Sequence, residues 1–473
     1  MTLLKRLAGL ISSLGLCSLL TGPAGAQSDS AALSAPPQIM TISALRALPP
    51  PRGGAGPEVL VRGYNKSNDG GGGYFEWAPG STAPDDDGMA ISPGGNSGPG
   101  RWLRAPPEPG VVSPLYFGAR CDGSGDDGAA INKALNYIRG HDTRGDPHGG
   151  DMGKSNGILK LPAAQCVLKT SMNTANLGSV TIMIQGTGGS LLCQTVGQPC
   201  IDAMGSPRLG FRDITIYGDS KNVPRVGLQV GRIIPLATAA GMYLDHVTIS
   251  GYFSLAAFYN FAAETQLATK LNASNYAPGG YGAIYDGLNH WNVKSAFVNI
   301  STPVDKFESF NDNTCVSCRI TSQGPGGIPI WVGETAELTF VNSYISNFDK
   351  GVGAVLYGSN KNLNFDVHFE AGGLTSVFLI TGNSHPRIDG LIYREHDFFG
   401  QVSLFALDSG VKGATLEDVD INIGRIKTHG GWFDHPENYT VSGRVAGVYP
   451  DGWVTPGGGF SGTACFAAKC VTQ

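Results

Sequence analysis

The segment Phe365-Asp366-Val367-His368-Phe369-Glu370 sets three groups capable of acid–base chemistry at every second position. Alternation this strict reads as a β-strand with one buried face, because successive side chains point to opposite sides. With Phe365, Val367 and Phe369 turned inward, Asp366, His368 and Glu370 share the outer face. Two carboxylates on one exposed ribbon suit glycosidic-bond cleavage, in which one protonates the leaving oxygen while the other activates water or attacks carbon. Glu370 is the expected acid, with Asp366, Asp389 or Glu395 as its partner and His368 beside them. A merely solvated strand face would alternate in the same way, so the neighbouring segments matter.

Those neighbours add acids and bases. Asp389 belongs to the next recurrence of the same pattern, and Arg394-Glu395-His396-Asp397 follows it. If strands stack about 4.8 Å apart, equivalent positions one level away come within carboxylate-pair range of Glu370. Glu308, Asp312 and Asn313 precede the segment at Cys315 and would lie across the same groove. His385, Arg387, Arg394, His396, Arg425, Lys427 and His429 concentrate basic groups in the last third of the chain. On a chain of formal net charge −5, that cluster points to an acidic sugar, which a basic cleft would concentrate. Arg394, Arg425, Lys427 and His429 are the expected substrate-binding residues. A second chemistry uses the same groups. His368 or Lys427 would remove the proton beside a uronate carboxylate that Arg394 or Arg425 neutralises, giving β-elimination.

A recurring corner would position these residues. An apolar residue, two mostly polar ones, an apolar residue, any residue and another apolar residue recur from Phe211, Leu244, Leu288, Cys315, Phe340, Ile388 and Leu416, with a degenerate copy at Phe365. Each copy reads as two short strands meeting at a two-residue bend. One such coil cannot bury its apolar side alone, whereas stacked coils bury a continuous core. A sandwich of two sheets would call for hairpin turns between neighbouring strands, and these are missing. The longer intervals place loops at 218–240 and 251–286. Short polar residues at the bends satisfy turn backbone. Asp213, Asp245, Asn342 and Asp418 are read as structural on that ground, which also weighs against Asp366 and Asp389 as catalysts.

The remaining sequence sets the boundaries. Lys5 and Arg6, the apolar run Leu7–Leu20 and the small residues Ala24–Ala26 read as an export signal over 1–26, followed by a linker over 27–58. Paired strands with glycine-rich turns suggest a small β module over 59–108, the solenoid runs from 109 to 430, and a terminal cap covers 431–473. Asp126 or Asp127 is placed to cap a helix starting near Gly128, whose apolar stripe would plug the open end of the solenoid. With 69 glycines and only 15 % charged residues the chain is an all-β candidate. The acidic balance, −7 once Lys5 and Arg6 are removed, offers no basic surface for nucleic acid. No run after the signal is long enough to span a membrane. The eight cysteines beyond Cys17 favour disulfides in an exported chain, Cys193–Cys200 and Cys465–Cys470 first. Cys315 and Cys318 read as a pair or as half a zinc site. No cofactor, metal or calcium loop is expected.

Phe117-Gly-Ala-Arg-Cys121-Asp-Gly-Ser-Gly-Asp126-Asp127-Gly-Ala-Ala-Ile131-Asn-Lys-Ala-Leu135 resembles the opening of the pectate-lyase-like superfamily, where such a signature precedes a right-handed parallel β-helix. The resemblance covers roughly residues 59–430 and implies a single-stranded helix of that kind with an N-terminal capping helix. It makes Asp126 and Asp127 structural, and this chain departs from it with Gly128 where the family usually has Thr. Gly70–Gly73 and Gly100-Arg-Trp102-Leu-Arg are similar to the segment preceding the β-helix of tailspike-like proteins, as is His-Phe-Glu to one of their coils. Arg425-Ile426-Lys427 is similar to a substrate-contacting motif of polygalacturonases, whose other motifs are absent. The family implies hydrolases, lyases, epimerases and phage depolymerases, as monomers or homotrimers. The expected function is secreted or periplasmic cleavage of a polysaccharide, with hydrolysis first, elimination second and non-catalytic carbohydrate binding third.

Overall fold

The computed structural model describes residues 36–51, 57–94, 98–140, 156–175, 181–206, 208–231, 242–261, 267–269, 271–275, 295–300, 313–322, 327–334, 336–347, 351–370, 374–398, 403–426, 432–447, 459–466 and 469–472. The export signal, the recurrence at Leu288, Glu308, Asp312, Lys427 and His429 lie outside them. So do the side chains of His396 and Arg425. No described helix is long and apolar enough to cross a membrane.

The chain coils into a right-handed parallel β-solenoid. A 21-stranded sheet wraps two faces around the recurring corner, and a nine-stranded parallel sheet closes the third. One column runs in unbroken backbone register through Ile184, Phe211, Leu244, Ala268, Cys315, Phe340, Phe365, Tyr393, Ile421 and Val445. Inside, Phe258, Phe297, Phe340, Phe365, Phe378, Phe405 and Phe433 form a spine with ring centroids 5.2–5.6 Å apart, a separation at which aromatic pairs attract.

The register corrects the sequence-based ladder in two places. Ala268, not Leu288, is the level between Leu244 and Cys315, because the strands Leu267–Thr269 and Asn272–Asn275 fall within the stretch expected to be loop. The corner also moves. It adopts left-handed backbone at Asp213, His246, Ser317 and Asn342, then at a second column of Glu337, Asn362, Gly390 and Asp418. The strand Ala336–Asn347 carries both corners, and the next, Asn360–Glu370, runs straight past the point where Asn342 bends. Phe365 therefore stacks on Tyr393, whereas Ile388 stacks on Asn360 and Asp389 on Lys361. The degenerate copy at Phe365 is a corner that has been straightened.

At the N-terminal end the helix Gly128–Gly140 buries Ala130, Ile131, Ala134, Leu135 and Ile138 in the same core as Leu159 and Met172, so it plugs the first coil. Asp126 accepts the Gly128, Lys169 and Thr170 N–H groups. Buried Asp127 accepts those of Arg120, Cys121 and Val167, and a Cys121–Cys166 disulfide lies beside it. These three side chains are the one described cluster of metal-type donors. The sulfurs are joined and the carboxylate is taken up by backbone, so the cluster is a structural knot. Cys193–Cys200 and Cys315–Cys318 are also disulfides, which removes the half zinc site. The backbones of Cys465 and Cys470 pair in register on antiparallel strands.

The N-terminal module begins earlier than the sequence suggested. Gln38–Ile39 adds an edge strand, and Ile42–Arg46 is a helix whose first turn is capped by Thr41. Strands Glu58–Val61, Gly73–Ala78, Arg101–Ala105 and Ala90–Ile91 complete the sheet. Arg104 fastens the module to the solenoid, its guanidinium 4.5 Å from the Phe75 ring centre and 4.4 Å from that of Tyr116. Beyond residue 430, the strands Tyr439–Gly447 and Gly459–Phe466 continue the parallel ladder, and Lys469–Thr472 folds back antiparallel at its edge.

Gly128 explains the departure from the family signature. A Cβ there would stand 2.2 Å from the Thr170 carbonyl oxygen, so this chain has no room for the usual Thr. Gly128→Thr is expected to destabilise the fold by about 2 kcal/mol, the cost of overpacking a closed site. A denaturant midpoint unchanged from wild type would refute that.

Candidate functional site

Where the corner shifts, two outward positions are left without a bend, and an open cleft of about 360 Å³ forms there. It is lined by Asn342, Ser343, Asp366, Val367, His368, Arg394, Glu395 and Asn422. Asp366 occupies the place of the missing corner, and its Oδ2 accepts the Asn342 N–H of the preceding coil at 3.2 Å. Arg394 and Asn422 stack on Asp366 in the two coils that follow.

On the strand Ile392–Phe398, Tyr393 points inward and Arg394 outward, as alternation requires, so Glu395 points inward too. Its side chain is 0 % exposed. One oxygen lies 2.9 Å from His368 Nδ1. The other accepts the Phe369 N–H at 2.7 Å and the Tyr393 hydroxyl at 3.2 Å. Burial pushes the carboxyl up from its ordinary 4.5 to about 7, against the opposing pull of the Phe369 N–H, His368 and Tyr393. Burial and the neighbouring Glu395 raise the Tyr393 hydroxyl as well. The His368 side chain is 44 % exposed, so its Nδ1 edge rests on the buried acid while the ring meets the cleft. With the carboxylate ionised, Nδ1 carries the proton and Nε2 is free to accept one.

Four of the residues singled out from sequence thus line one cleft: Asp366, His368, Arg394 and Glu395. Glu395 sits beneath His368, not on the surface beside Glu370. Glu370 is exposed at the far end of its strand, four residues from Asp366, and does not line the cleft. Asp389 stacks on Lys361 away from it, and Arg387 bridges Asp389 and Glu417. Arg425 lies in the strand Ala414–Ile426. Tyr393, Asn342, Ser343 and Asn422 were not anticipated. Tyr393-Arg394-Glu395 did carry a signal, since alternation from Tyr393 puts a carboxylate indoors. Asn342 reads from sequence only as a bend.

Residues 38–106 match the family described as "Phage tail protein small four-stranded beta-sheet domain". No curated protein matches the sequence. Similar solved structures include full-length tailspike protein 2 of an Escherichia coli bacteriophage, CAB120, at 12 % identity and a TM-score of 0.48 over 89 % of this chain and 52 % of that one. Pantoea stewartii WceF, titled a glycan biofilm modifying enzyme, is similar at 11 % identity and a TM-score of 0.37 over 92 % and 51 %. The tailspike gp49 of Acinetobacter baumannii bacteriophage Fri1, titled a capsular polysaccharide depolymerase, shows 12 % identity and a TM-score of 0.44 over 92 % and 76 %. The chain spans about half the length of the first and second of these. The fold is the right-handed parallel β-solenoid that the pectate-lyase-like resemblance implies.

The buried acid has a consequence for stability. Its folded pKa of about 7 lies above the 4.5 of an exposed glutamate, so the folded state holds this proton more tightly. Stability from this group is complete below pH 4.5 and is lost as pH rises through 7, amounting to about 3 kcal/mol. Glu395→Gln should therefore match the wild type in melting temperature near pH 4.5 and exceed it at pH 8. Equal melting temperatures at pH 8 would count against the elevated pKa.

Proposed function

We propose that the cleft cleaves an acidic polysaccharide outside the cytoplasm, by β-elimination beside a uronate carboxylate. One observation carries this reading: a half-exposed imidazole rests on a fully buried carboxylate, with a guanidinium on the adjoining coil. In the step proposed, His368 Nε2 takes the proton on the carbon beside the uronate carboxyl group. That electron pair forms the new carbon–carbon double bond, and the bond to the leaving sugar oxygen breaks. The imidazolium then returns a proton to the departing alkoxide. Arg394 stabilises the charge that grows on the substrate carboxylate, a role suited to a positioned cation. It is 58 % exposed and lies 3.9 Å from Asp420, loosely enough to turn toward a ligand. Glu395 touches no substrate. It fixes the tautomer and orientation of His368, as a buried acid does in hydrolytic triads. The three disulfides among the described residues suit an oxidising compartment.

Hydrolysis by paired carboxylates is the second reading, favoured by Asp366, which lines the same cleft. Its partner is the difficulty. Glu370 lies four residues along an extended strand, about 13 Å by backbone rise, against the roughly 5–9.5 Å that glycosidases use. The Glu395 oxygens are already bonded inside the protein.

On polygalacturonate, alginate or hyaluronan, elimination yields ultraviolet-absorbing unsaturated ends, whereas hydrolysis yields reducing ends without that absorbance. His368→Gln should lower kcat by about 10²–10⁴, the usual worth of a general base. Glu395→Gln would donate to Nδ1 and leave Nε2 protonated, with a loss of similar size. Wild-type kcat/KM should rise with pH through about 7 as Glu395 ionises. Full activity in His368→Gln would sink this assignment.

A further inference from the structure

Arg319, Tyr344 and His368 occupy equivalent outward positions on three successive coils, each in register with the next. The Arg319 guanidinium carbon lies 4.8 Å from the Tyr344 ring centre, and that ring lies 5.6 Å from the His368 imidazole at an angle of 37°. The phenol is thus packed between a cation and the imidazole of the cleft. Arg319 is exposed, and among the described residues no carboxylate comes within ion-pair distance of it. Other arginines on this sheet have a carboxylate beside them: Arg212 has Asp245, Arg387 has Glu417, and Arg394 and Arg444 stand 3.9 and 4.0 Å from the two oxygens of Asp420. Arg319 is braced by an aromatic face, and its charge is left to solvent. Two coil spacings put that charge about 10 Å along the solenoid axis from the imidazole.

We infer that Arg319, held by Tyr344, is an anion-binding subsite that takes the carboxylate of a second acidic sugar, two coils toward the N-terminal end from His368. The inference rests on the reading of His368 as the reacting group and names the substrate class more closely: a polymer acidic at units that do not react. A guanidinium offers two parallel N–H donors to a carboxylate, and stacking on the phenol restricts it before the ligand arrives. Cations stacked on aromatic rings keep their outer donors available, so the contact with Tyr344 does not compete with the ligand. The chain of a bound glycan would then lie along the axis, with its reacting unit over His368 and Arg394 and its flanking unit over Arg319. Salt should weaken the flanking contact more than the buried His368–Glu395 pair, because exposed charges are screened and buried ones are not.

The test uses the full-length His368→Gln protein, in which turnover is expected to be slowed by about 10²–10⁴, with and without Arg319→Gln. Binding to polygalacturonate, alginate and hyaluronan is measured beside the carboxyl-reduced form of each polymer. For the acidic polymer held most tightly, Arg319→Gln should weaken binding roughly ten- to hundredfold, the worth of one charged hydrogen-bonded contact. The same substitution should change little on the reduced form, and Arg319→Lys should recover part of the loss. With an active His368, Arg319→Gln should raise KM by a similar factor and leave kcat within about twofold. Equal affinity with and without Arg319→Gln for all three polymers would overturn the subsite, even if His368→Gln abolishes cleavage. A clear Arg319 effect on binding, with no cleavage by the wild type, would uphold the subsite and overturn the catalytic reading.

Discussion

Parallel backbone pairing between successive coils places each side chain directly above its equivalent in the next, and the rest of the molecule follows from that alignment. An inward column is mostly apolar, because a polar group there meets its neighbours and not water. An outward column becomes a row of side chains at about 4.8 Å intervals, close enough for rings and charges to interact. Tyr344 reaches both Arg319 and His368 for this reason, although 25 and 24 residues separate them in sequence. The same alignment makes any change of corner visible. When the bend moves from Asn342 to Asn362, the coil above the old bend has to run straight. The space that opens is the cleft.

Within that cleft one carboxylate breaks the inward rule. Glu395 occupies a core-facing place between the strand carrying His368 and the Tyr393 hydroxyl, and its burial opposes ionisation. Three contacts offset this: the Phe369 N–H, the Tyr393 O–H and His368 Nδ1. Removing any of them would leave a buried charge short of partners, which is costly. The arrangement weakens the fold above neutrality while holding one imidazole in a single orientation. A strained or unfavourable element kept at a site is the usual relation between stability and function.

At the other end of the solenoid the unfavourable groups are fully reconciled. Asp127 is as buried as Glu395, but its oxygens take backbone N–H groups of Arg120, Cys121 and Val167. Two buried acids therefore differ in role through their partners. Asp127 is surrounded by backbone that cannot move or exchange a proton. Glu395 is joined to a titratable ring that meets solvent.

Much was legible from sequence because it is local. Alternation from Phe365 to Glu370, the apolar stripe from Ala130 to Ile138 and the spacing of corners depend only on neighbours along the chain. The resemblance in Phe117–Leu135 supplied the hand of the coil. Asp366, His368, Arg394 and Glu395 were picked out, but in the wrong relation to one another. Glu395 lies 27 residues beyond His368, and nothing in that spacing says that one lies under the other. Only the folded register decided that Phe365 stacks on Tyr393 and Asp389 on Lys361, which leaves Asp389 and Glu370 outside the lining of the cleft. The physical reason is that a one-dimensional pattern fixes which side of a strand a residue faces, whereas its neighbour across the coil depends on where the intervening backbone turns. Here that turn moved, and the chemistry moved with it.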